Sequence, residues 1–214
     1  MEHKGKRICM SIFGVLVSGI SVGFFRMAAF GVDPFQSFVS GLNTVIPINF
    51  GTLYMIVNVI LLIFGLIANR HNIGLATFIN LFLLGYVVDF SNQVLLNIFP
   101  ALQILGRILF LIIGIVVMCL AASFYMTADL GVSTYDSIAL ILSDTWHLGQ
   151  FRFCRIATDV VCVICGVGFY FISGGTISGL GTVAGIGTVV TAFFMGPLID
   201  WFNVHLARPF LEKT

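Results

Sequence analysis

The chain has 214 residues, of which 59% are hydrophobic and only 9% are charged, and its formal net charge is +1. Soluble domains carry about 25% charged residues, so this composition predicts an integral membrane protein whose first partner is the lipid bilayer. The near-neutral charge argues against nucleic acid as a partner. The sequence also lacks a Gly-rich phosphate loop, so we expect any transport energy to come from a gradient or from a partner subunit.

Eight apolar segments follow one another along the chain. A helix that crosses a bilayer needs about 20 apolar residues. Six segments meet that length, the third of them with an extension toward Phe99: Ile8–Phe30, Phe50–Ala68, Ile73–Phe90, Ile104–Met126, Phe153–Ile172 and Ile177–Phe202. Two shorter segments, Pro34–Ile46 and Thr134–Trp146, would reach about 20 Å as helices, whereas the hydrocarbon core is roughly 30 Å thick. The sequence therefore predicts an all-α membrane protein with about six transmembrane helices and two half-helices, which are re-entrant or interfacial.

Both predicted half-helices begin with clear start signals. Asp33 can cap the first one, and Pro34 suits the first position of a helix. Ser133 can cap the second one, and Asp136 follows three residues later, as in a capping box.

The chain repeats itself about halfway along. The stretch Phe30–Ser37 returns as Leu130–Ser137, and Gly31 and Gly131 would supply the backbone freedom to turn out of the preceding span. A second motif, which runs from Thr77 through Gly85 to Asp89, returns as Thr188, Gly196-Pro197 and Asp200. Repetition of both motifs in the same order predicts one membrane unit used twice, over residues 8–99 and 104–202. The predicted structural motif residues are Gly31, Pro34, Gly85, Gly131, Gly196 and Pro197.

Three spans in each unit would make the second unit enter the bilayer from the opposite side, which gives inverted-topology repeats. The positions of Lys and Arg favour cytoplasmic ends for both termini, with Arg107 outside. If the half-helices crossed completely, each unit would have four spans. The number of positive charges on each side would be the same as in the inverted arrangement, so this count does not distinguish the two. The short length of the two segments favours the inverted arrangement.

Ionisable groups at membrane depth are costly, so each is a candidate for function. Asp89 and Asp200 occupy the same place in both units, four residues after Gly85 and Gly196, which would let another helix approach closely. Under inverted topology Asp89 lies toward the outer face and Asp200 toward the inner face. One interpretation is that each carboxylate ties down a half-helix N-terminus, and the other is that it binds a proton or cation during transport.

Two further ionisable residues lie inside predicted spans. Arg26 has Met126 as its counterpart in the second unit, so it could snorkel to the interface, pair with Asp33 or Asp89, or bind an anionic substrate. Asp159 follows Arg155 by four residues, which predicts an ion pair within one helix. The candidate substrate-binding or ion-binding residues are therefore Arg26, Asp33, Asp89, Ser133, Asp136, Asp159 and Asp200.

The Gly-rich stretch over 174–187 predicts close helix packing through Gly181 and Gly185, with an unwound, cavity-lining segment as the alternative. The sequence contains neither a Gly-x-Ser-x-Gly nor a His-Glu-x-x-His motif, so we expect no catalytic residues and no enzyme. A Cys-x-x-Cys pair lies in an apolar run without a second pair or clustered His, so we expect no metal and no cofactor.

Two motifs carry a resemblance to a known family: Ala128-Asp129-Leu130-Gly131-Val132-Ser133 followed by Asp136, and Gly187-Thr188 followed by Gly196-Pro197-Leu198-Ile199-Asp200. They resemble the YczE/YyaS/YitT-type bacterial membrane proteins, with a closer likeness to the YczE branch. The first unit departs from the pattern, with Tyr86 where the second has Pro197. The resemblance implies a protein of the bacterial cytoplasmic membrane and no defined substrate.

The function that these features favour is a small secondary transporter or exporter of a small solute, with its site between the two units. Three alternatives stay open: a substrate-binding subunit of a larger transport complex, a passive channel, and a non-transporting accessory membrane protein. Expected partners besides the bilayer are a small-molecule solute and either a second copy of the chain or a partner subunit.

Overall fold

The computed structural model of the chain describes residues 4–31 and 33–212, apart from the side chains at positions 51, 85, 89 and 182. Within this part the chain forms helices and no β-strand. In chain order the helices are α1 (Lys4–Ala28), α2 (Pro34–Val45), α3 (Phe50–Ala68), α4 (Leu75–Ile98), α5 (Ile104–Ala128), α6 (Thr134–Leu140), α7 (Phe151–Ile172), α8 (Ile186–Phe202) and α9 (Arg208–Glu212). A π-helical turn over Ile141–Thr145 continues α6, and another over Asn203–Ala207 joins α8 to α9.

Several long apolar helices indicate a multi-pass membrane protein. In the described part of the chain, four helices are long and apolar enough to cross a bilayer, namely α1, α5, α7 and the run from Ile186 to Glu212. A fifth crossing is present if Leu75–Leu84 and Tyr86–Ile98, which are bent by 43° relative to each other, form one span. Large apolar side chains such as Ile67 (81% exposed) and Ile172 (77% exposed) face outward, as expected of a surface that meets lipid.

The predicted segments match the observed helices closely, with one exception at the Gly-rich stretch. The predicted start of the sixth span at Ile177 is wrong, because Ile177–Thr182 forms a 3₁₀ turn and the α-helix begins at Ile186. Gly185, just before α8, is closely packed, but on the turn at Phe30 and not on a helix, since a Cβ there would collide with the carbonyl group of Phe30. The predicted close packing is wrong for Gly181, where a Cβ would meet no atom within 4 Å.

Helices α1 and α5 form the centre of the molecule and run antiparallel. Gly14, near the start of α1, lies against Tyr125 near the end of α5, whereas Gly114 of α5 lies against Phe25 of α1. Two small residues at these contacts let the helix backbones approach closely, which is how apolar helices gain packing energy in a bilayer.

Each central helix carries a parallel neighbour from its own half of the chain. On α4, Ser91 donates to the Gly19 carbonyl of α1 over 3.2 Å. On α8, Asn203 at the end of the helix accepts from Thr127 of α5 over 2.8 Å, and Met195 lies beside Cys119.

The two short helices pack across the halves. Helix α2 lies on α7, where a Cβ at Gly41 would collide with the backbone of Gly166, and both are glycine. Helix α6 lies on α3, held at its start by a 2.6 Å hydrogen bond from Thr134 to Asn58 and at its end by a 2.8 Å bond from Asn69 to Thr145. Each half of the chain therefore holds the short helix of the other half.

The turns before the short helices are fixed by the opposite half in the same way. Gly31 has a φ of +111° and Gly131 has a φ of +102°, so the predicted need for glycine at both turns is confirmed. The Phe30 carbonyl accepts from Gly187 over 2.8 Å at the start of α8, and the Leu130 carbonyl accepts from Ala76 over 3.0 Å at the start of α4.

Candidate functional site

A buried charge cluster lies where α6 meets α7. Arg155 of α7 donates from Nη1 to Asp136 of α6 and from Nε to Asp159 over 3.3 Å. The exposed fractions of these side chains are 6% for Arg155, 8% for Asp136 and 0% for Asp159. The ion pair predicted between Arg155 and Asp159 is thus confirmed. Its burial makes it costly to form and costly to break, because an unpaired charge would be left without water.

Local helix geometry aligns the members of this cluster. Arg155 and Asp159 are one turn apart on α7, and Tyr135 and Asp136 lie in the first turn of α6. Tyr135 donates its hydroxyl to Asp159 over 2.5 Å, and the Arg155 guanidinium lies 4.5 Å from the centre of the Tyr135 ring. Gly196 of α8 lets Arg155 fit, since a Cβ at that position would lie 3.2 Å from the Arg155 Cβ.

The N-termini of α2 and α6 meet beside this cluster. Asp33 accepts from the backbone N–H groups of Phe35 and Gln36, each over 3.1 Å, so the predicted cap of α2 is confirmed. Ser133 Oγ accepts from the Asp136 N–H over 3.0 Å and caps α6, as predicted. Phe35 stacks on Tyr135 with ring centres 4.9 Å apart, which joins the first turns of the two short helices.

Asp136 does not complete the reciprocal half of the predicted capping box. Its carboxylate accepts from the Ser133 hydroxyl over 2.6 Å and from Arg155, and so faces the charge cluster. The side chain of Asp136 therefore anchors α6 on α7 and does not cap the N-terminus of α6.

A cavity of about 110 Å³ lies between the two N-termini. Its polar walls come from both halves of the chain and include Ser18, Asp33, Tyr54, Asn58, Asp136 and Arg155. We call this space the central cavity. Ser18 is 4% exposed, and its hydroxyl has no hydrogen-bond partner among the described residues.

The central cavity continues into a wider one of about 280 Å³, the outer cavity, which shares Gln36, Tyr54, Asn58 and Asn80 with it. Arg26 lines this wider space. Arg26 and Asp33 also line a small adjoining recess of about 30 Å³. The structure therefore places Arg26 on a path that leads to the charge cluster.

A third cavity of about 250 Å³, the inner cavity, lies at the C-terminal ends of α5 and α8. Asp129 on its wall accepts from His71 over 2.9 Å and from Arg7 over 3.5 Å. Asp200 and Met126 line the same space. Met126 is the repeat counterpart of Arg26, so this one position of the repeat lines a different cavity in each half.

An apolar layer separates the central and inner cavities. Val132, Ile199, Met126, Leu140 and Phe151 pack into one hydrophobic cluster. Ile199 lines the central cavity, and the other four line the inner cavity. Val132 is 4% exposed and Ile199 is fully buried, so this layer is closed in the structure.

Comparison with known proteins adds a family and no activity. Residues 5–204 match DUF6198, described as a family of unknown function. The chain belongs to this family. It is also 23% identical, over 204 residues, to an uncharacterised protein of Haemophilus influenzae. The aligned region covers 95% of this chain and 86% of that relative. No solved structure matches the chain.

In this DUF6198 protein the predicted site residues fall into three groups. Asp33, Ser133, Asp136 and Asp159 come together at or beside the central cavity, whereas Arg26 lines the outer cavity. Asp200 lies in the inner cavity, and the N-terminus of α6, to which one interpretation assigned it, is capped by Ser133. The side chain at Asp89 and the predicted contact of Gly85 lie outside the described part.

Sequence reasoning did not select Arg155 or Ser18 of the central cavity as site residues. Arg155 was considered only as the ion-pair partner of Asp159, although two acidic residues of different helices share it. The sequence did contain a signal for Arg155. A carboxylate at membrane depth, such as Asp136, needs a cation at similar depth, and Arg155 beside Asp159 is such a cation. Ser18 gives no such signal, since its place depends on how α1 meets the short helices.

Proposed function

We propose that this protein is a small secondary transporter that moves a small solute across the bacterial cytoplasmic membrane, and that the solute binds in the central cavity. The observation that carries the proposal is a buried charged cavity where the N-termini of two short helices meet, with a path on one side and an apolar layer on the other. A cavity of this kind between two repeated units is the usual site of a transporter.

The antiparallel packing of α1 and α5 supports an odd number of crossings in each unit. In our proposal α1, α3 and α4 cross the bilayer, α5, α7 and α8 cross it in the opposite sense, and α2 and α6 are half-helices. The units over 8–99 and 104–202 are then inverted repeats. With both termini cytoplasmic, the outer cavity faces the outside and the inner cavity faces the cytoplasm.

The central cavity is open on its outer side and closed on its inner side, and this difference suggests how the solute would cross. The outer cavity continues into the central cavity, where Asp33 and Asp136 lie, whereas Val132 and Ile199 close the inner side. Exchange of these two arrangements between the repeats would open the inner side and close the outer one, which is alternating access. The closed layer argues against a passive channel, and we infer that the protein acts as a transporter and not as an enzyme. The kinship with the YczE branch also stays a proposal.

The test begins with thermal unfolding of the purified protein in detergent against a panel of small solutes. A ligand at about 100 times its dissociation constant stabilises the folded state by roughly 2.7 kcal/mol. Solutes that stabilise the protein are then measured for uptake into proteoliposomes. We expect uptake with the natural chain, loss of uptake with Asp136→Asn, and no change with the control Glu212→Gln, whose carboxylate is exposed.

Two results would overturn the proposal. Equal uptake by the natural chain and Asp136→Asn would place the solute elsewhere. Binding without uptake, in vesicles that hold correctly folded protein, would favour a substrate-binding subunit of a larger complex.

A further inference from the structure

We propose that the central cavity takes a small monovalent cation of the amine or guanidine class, with Asp33 and Asp136 as its counter-charges. This inference rests on the proposed transport function and names the chemical class of its solute. It depends on the charge balance of the cavity, the state of the two helix N-termini, and the acceptor groups on the walls.

The charge balance around the cavity is negative. Among the described residues, three carboxylates (Asp33, Asp136 and Asp159) gather around one guanidinium, that of Arg155, which leaves a formal charge of −2 when all are ionised. Adding Arg26, which shares the small recess with Asp33, still leaves one negative charge in excess. Uncompensated charge is costly at membrane depth, so a bound cation would stabilise this site.

Helix N-termini usually favour anions, but both N-termini here already have their partners. Asp33 accepts from two N–H groups at the start of α2, and Ser133 accepts from the first turn of α6. Arg155 likewise donates to two carboxylates and has its charge balanced by them. The groups that would attract an anionic solute are thus satisfied within the protein, whereas the formal charge of the cluster stays negative.

The remaining wall groups suit a donor-rich cation. The buried Ser18 hydroxyl has no partner among the described residues and can accept a hydrogen bond from a ligand. Tyr54 offers an aromatic ring, which attracts cations through its face. The central cavity itself measures about 110 Å³, so the part of the ligand that lies between the two N-termini has few heavy atoms.

The experiment uses guanidinium and urea, which have nearly the same shape but differ in charge. Proteoliposomes with the full chain are adsorbed on a solid-supported membrane, and currents are recorded after concentration jumps of guanidinium, methylammonium, urea or formate. We expect saturable positive currents with the two cations and none with urea or formate. Asp33→Asn should weaken the apparent affinity for guanidinium by about tenfold or more, because it removes a close counter-charge.

Two features separate loss of binding from loss of folding. Asparagine caps a helix about as well as aspartate, so Asp33→Asn should keep α2 in place. Ser18→Ala removes a hydroxyl that has no partner among the described residues, so it should weaken guanidinium binding by a smaller factor without unfolding the protein. Arg152→Gln is the control, because Arg152 is exposed and lies one turn before Arg155 on α7.

Saturable negative currents with formate, or unchanged guanidinium currents in Asp33→Asn, would overturn the cation assignment. Uptake of a neutral or anionic solute in the proteoliposome assay, without any cation current, would overturn the assignment and leave the transport function standing. Absence of uptake for every solute in the panel would instead count against transport itself.

Discussion

Arg7 and Arg107 each cap the C-terminus of the helix on which the other lies. The guanidinium of Arg7, at the start of α1, donates to the Ala128 carbonyl at the end of α5 over 3.1 Å. The guanidinium of Arg107, at the start of α5, donates to the carbonyls of Ala28 and Ala29 at the end of α1 over 2.8 and 2.7 Å. A cation at a helix C-terminus satisfies unpaired carbonyls and the helix dipole, so this exchange fixes the antiparallel register of the two central helices.

Arg107→Ala should lower the stability of the protein, because it leaves the end of α1 without its donor. We expect a loss of about 1 kcal/mol, since the group is only partly buried. Arg7→Ala should cost less, because its single carbonyl contact is longer. Thermal unfolding in detergent measures both, with exposed Arg70→Ala as the control. Equal melting temperatures for all three variants would show that the exchange does not hold the two helices together.

Gly166→Ala should be one of the most damaging single changes on α7. A Cβ at Gly166 would collide with the backbone of Ser37 on α2. The clash can be relieved only if α2 moves away from α7. Overpacking of this kind costs about 1–3 kcal/mol. Gly168→Ala is a matched control two residues away, where a Cβ meets no atom within 4 Å. That variant should be neutral or more stable, because alanine favours a helix by about 1 kcal/mol over glycine. Similar melting temperatures for the two variants would contradict close packing of α2 on α7.

Much of this architecture could be predicted from the sequence. Segment length and capping residues placed both starts of the short helices correctly, because Asp33-Pro34 and Ser133 act locally. The predicted ends lie within a residue of Val45 for α2 and of Thr145 for the π-helical turn that continues α6. The internal repeat predicted which positions correspond, and Gly31 and Gly131 indeed share a positive φ.

The partners of the motifs could not be predicted in the same way. A repeat shows which residues are equivalent, but not that the turn at Gly31 packs on Gly185 of the other half. One of the two interpretations of Asp89 and Asp200 therefore placed each carboxylate at a half-helix end within its own unit, whereas Ser133 caps α6 and Asp200 lies in the inner cavity. Arg155 was hidden for a related reason, since its second carboxylate comes from a separate helix.

Arg155→Met should strongly destabilise the protein, because it leaves Asp136 and Asp159 buried without their cation. Breaking a buried pair costs about 3–5 kcal/mol, whereas replacing a whole buried ionic group by neutral side chains is often nearly neutral. The triple variant Arg155→Met/Asp136→Asn/Asp159→Asn should therefore recover most of the stability while losing transport. Thermal unfolding and solute uptake, measured on the same preparations, separate the two effects. A triple variant that transports normally would exclude the charge cluster from the solute pathway.

The two cavities should be reachable from opposite sides of the membrane. In a background with all five natural cysteines replaced by serine or alanine, Gln36→Cys reports on the outer cavity and Asp144→Cys on the inner one. A membrane-impermeant thiol reagent added to intact cells should label Gln36→Cys and spare Asp144→Cys, and inside-out vesicles should show the reverse pattern. Ile199→Ala in the same background thins the apolar layer and should let the external reagent reach Asp144→Cys. Labelling of both cysteines from one side in the unaltered layer would contradict the inverted arrangement. Continued protection of Asp144→Cys in the Ile199→Ala variant would show that the layer does not depend on this side chain for its seal.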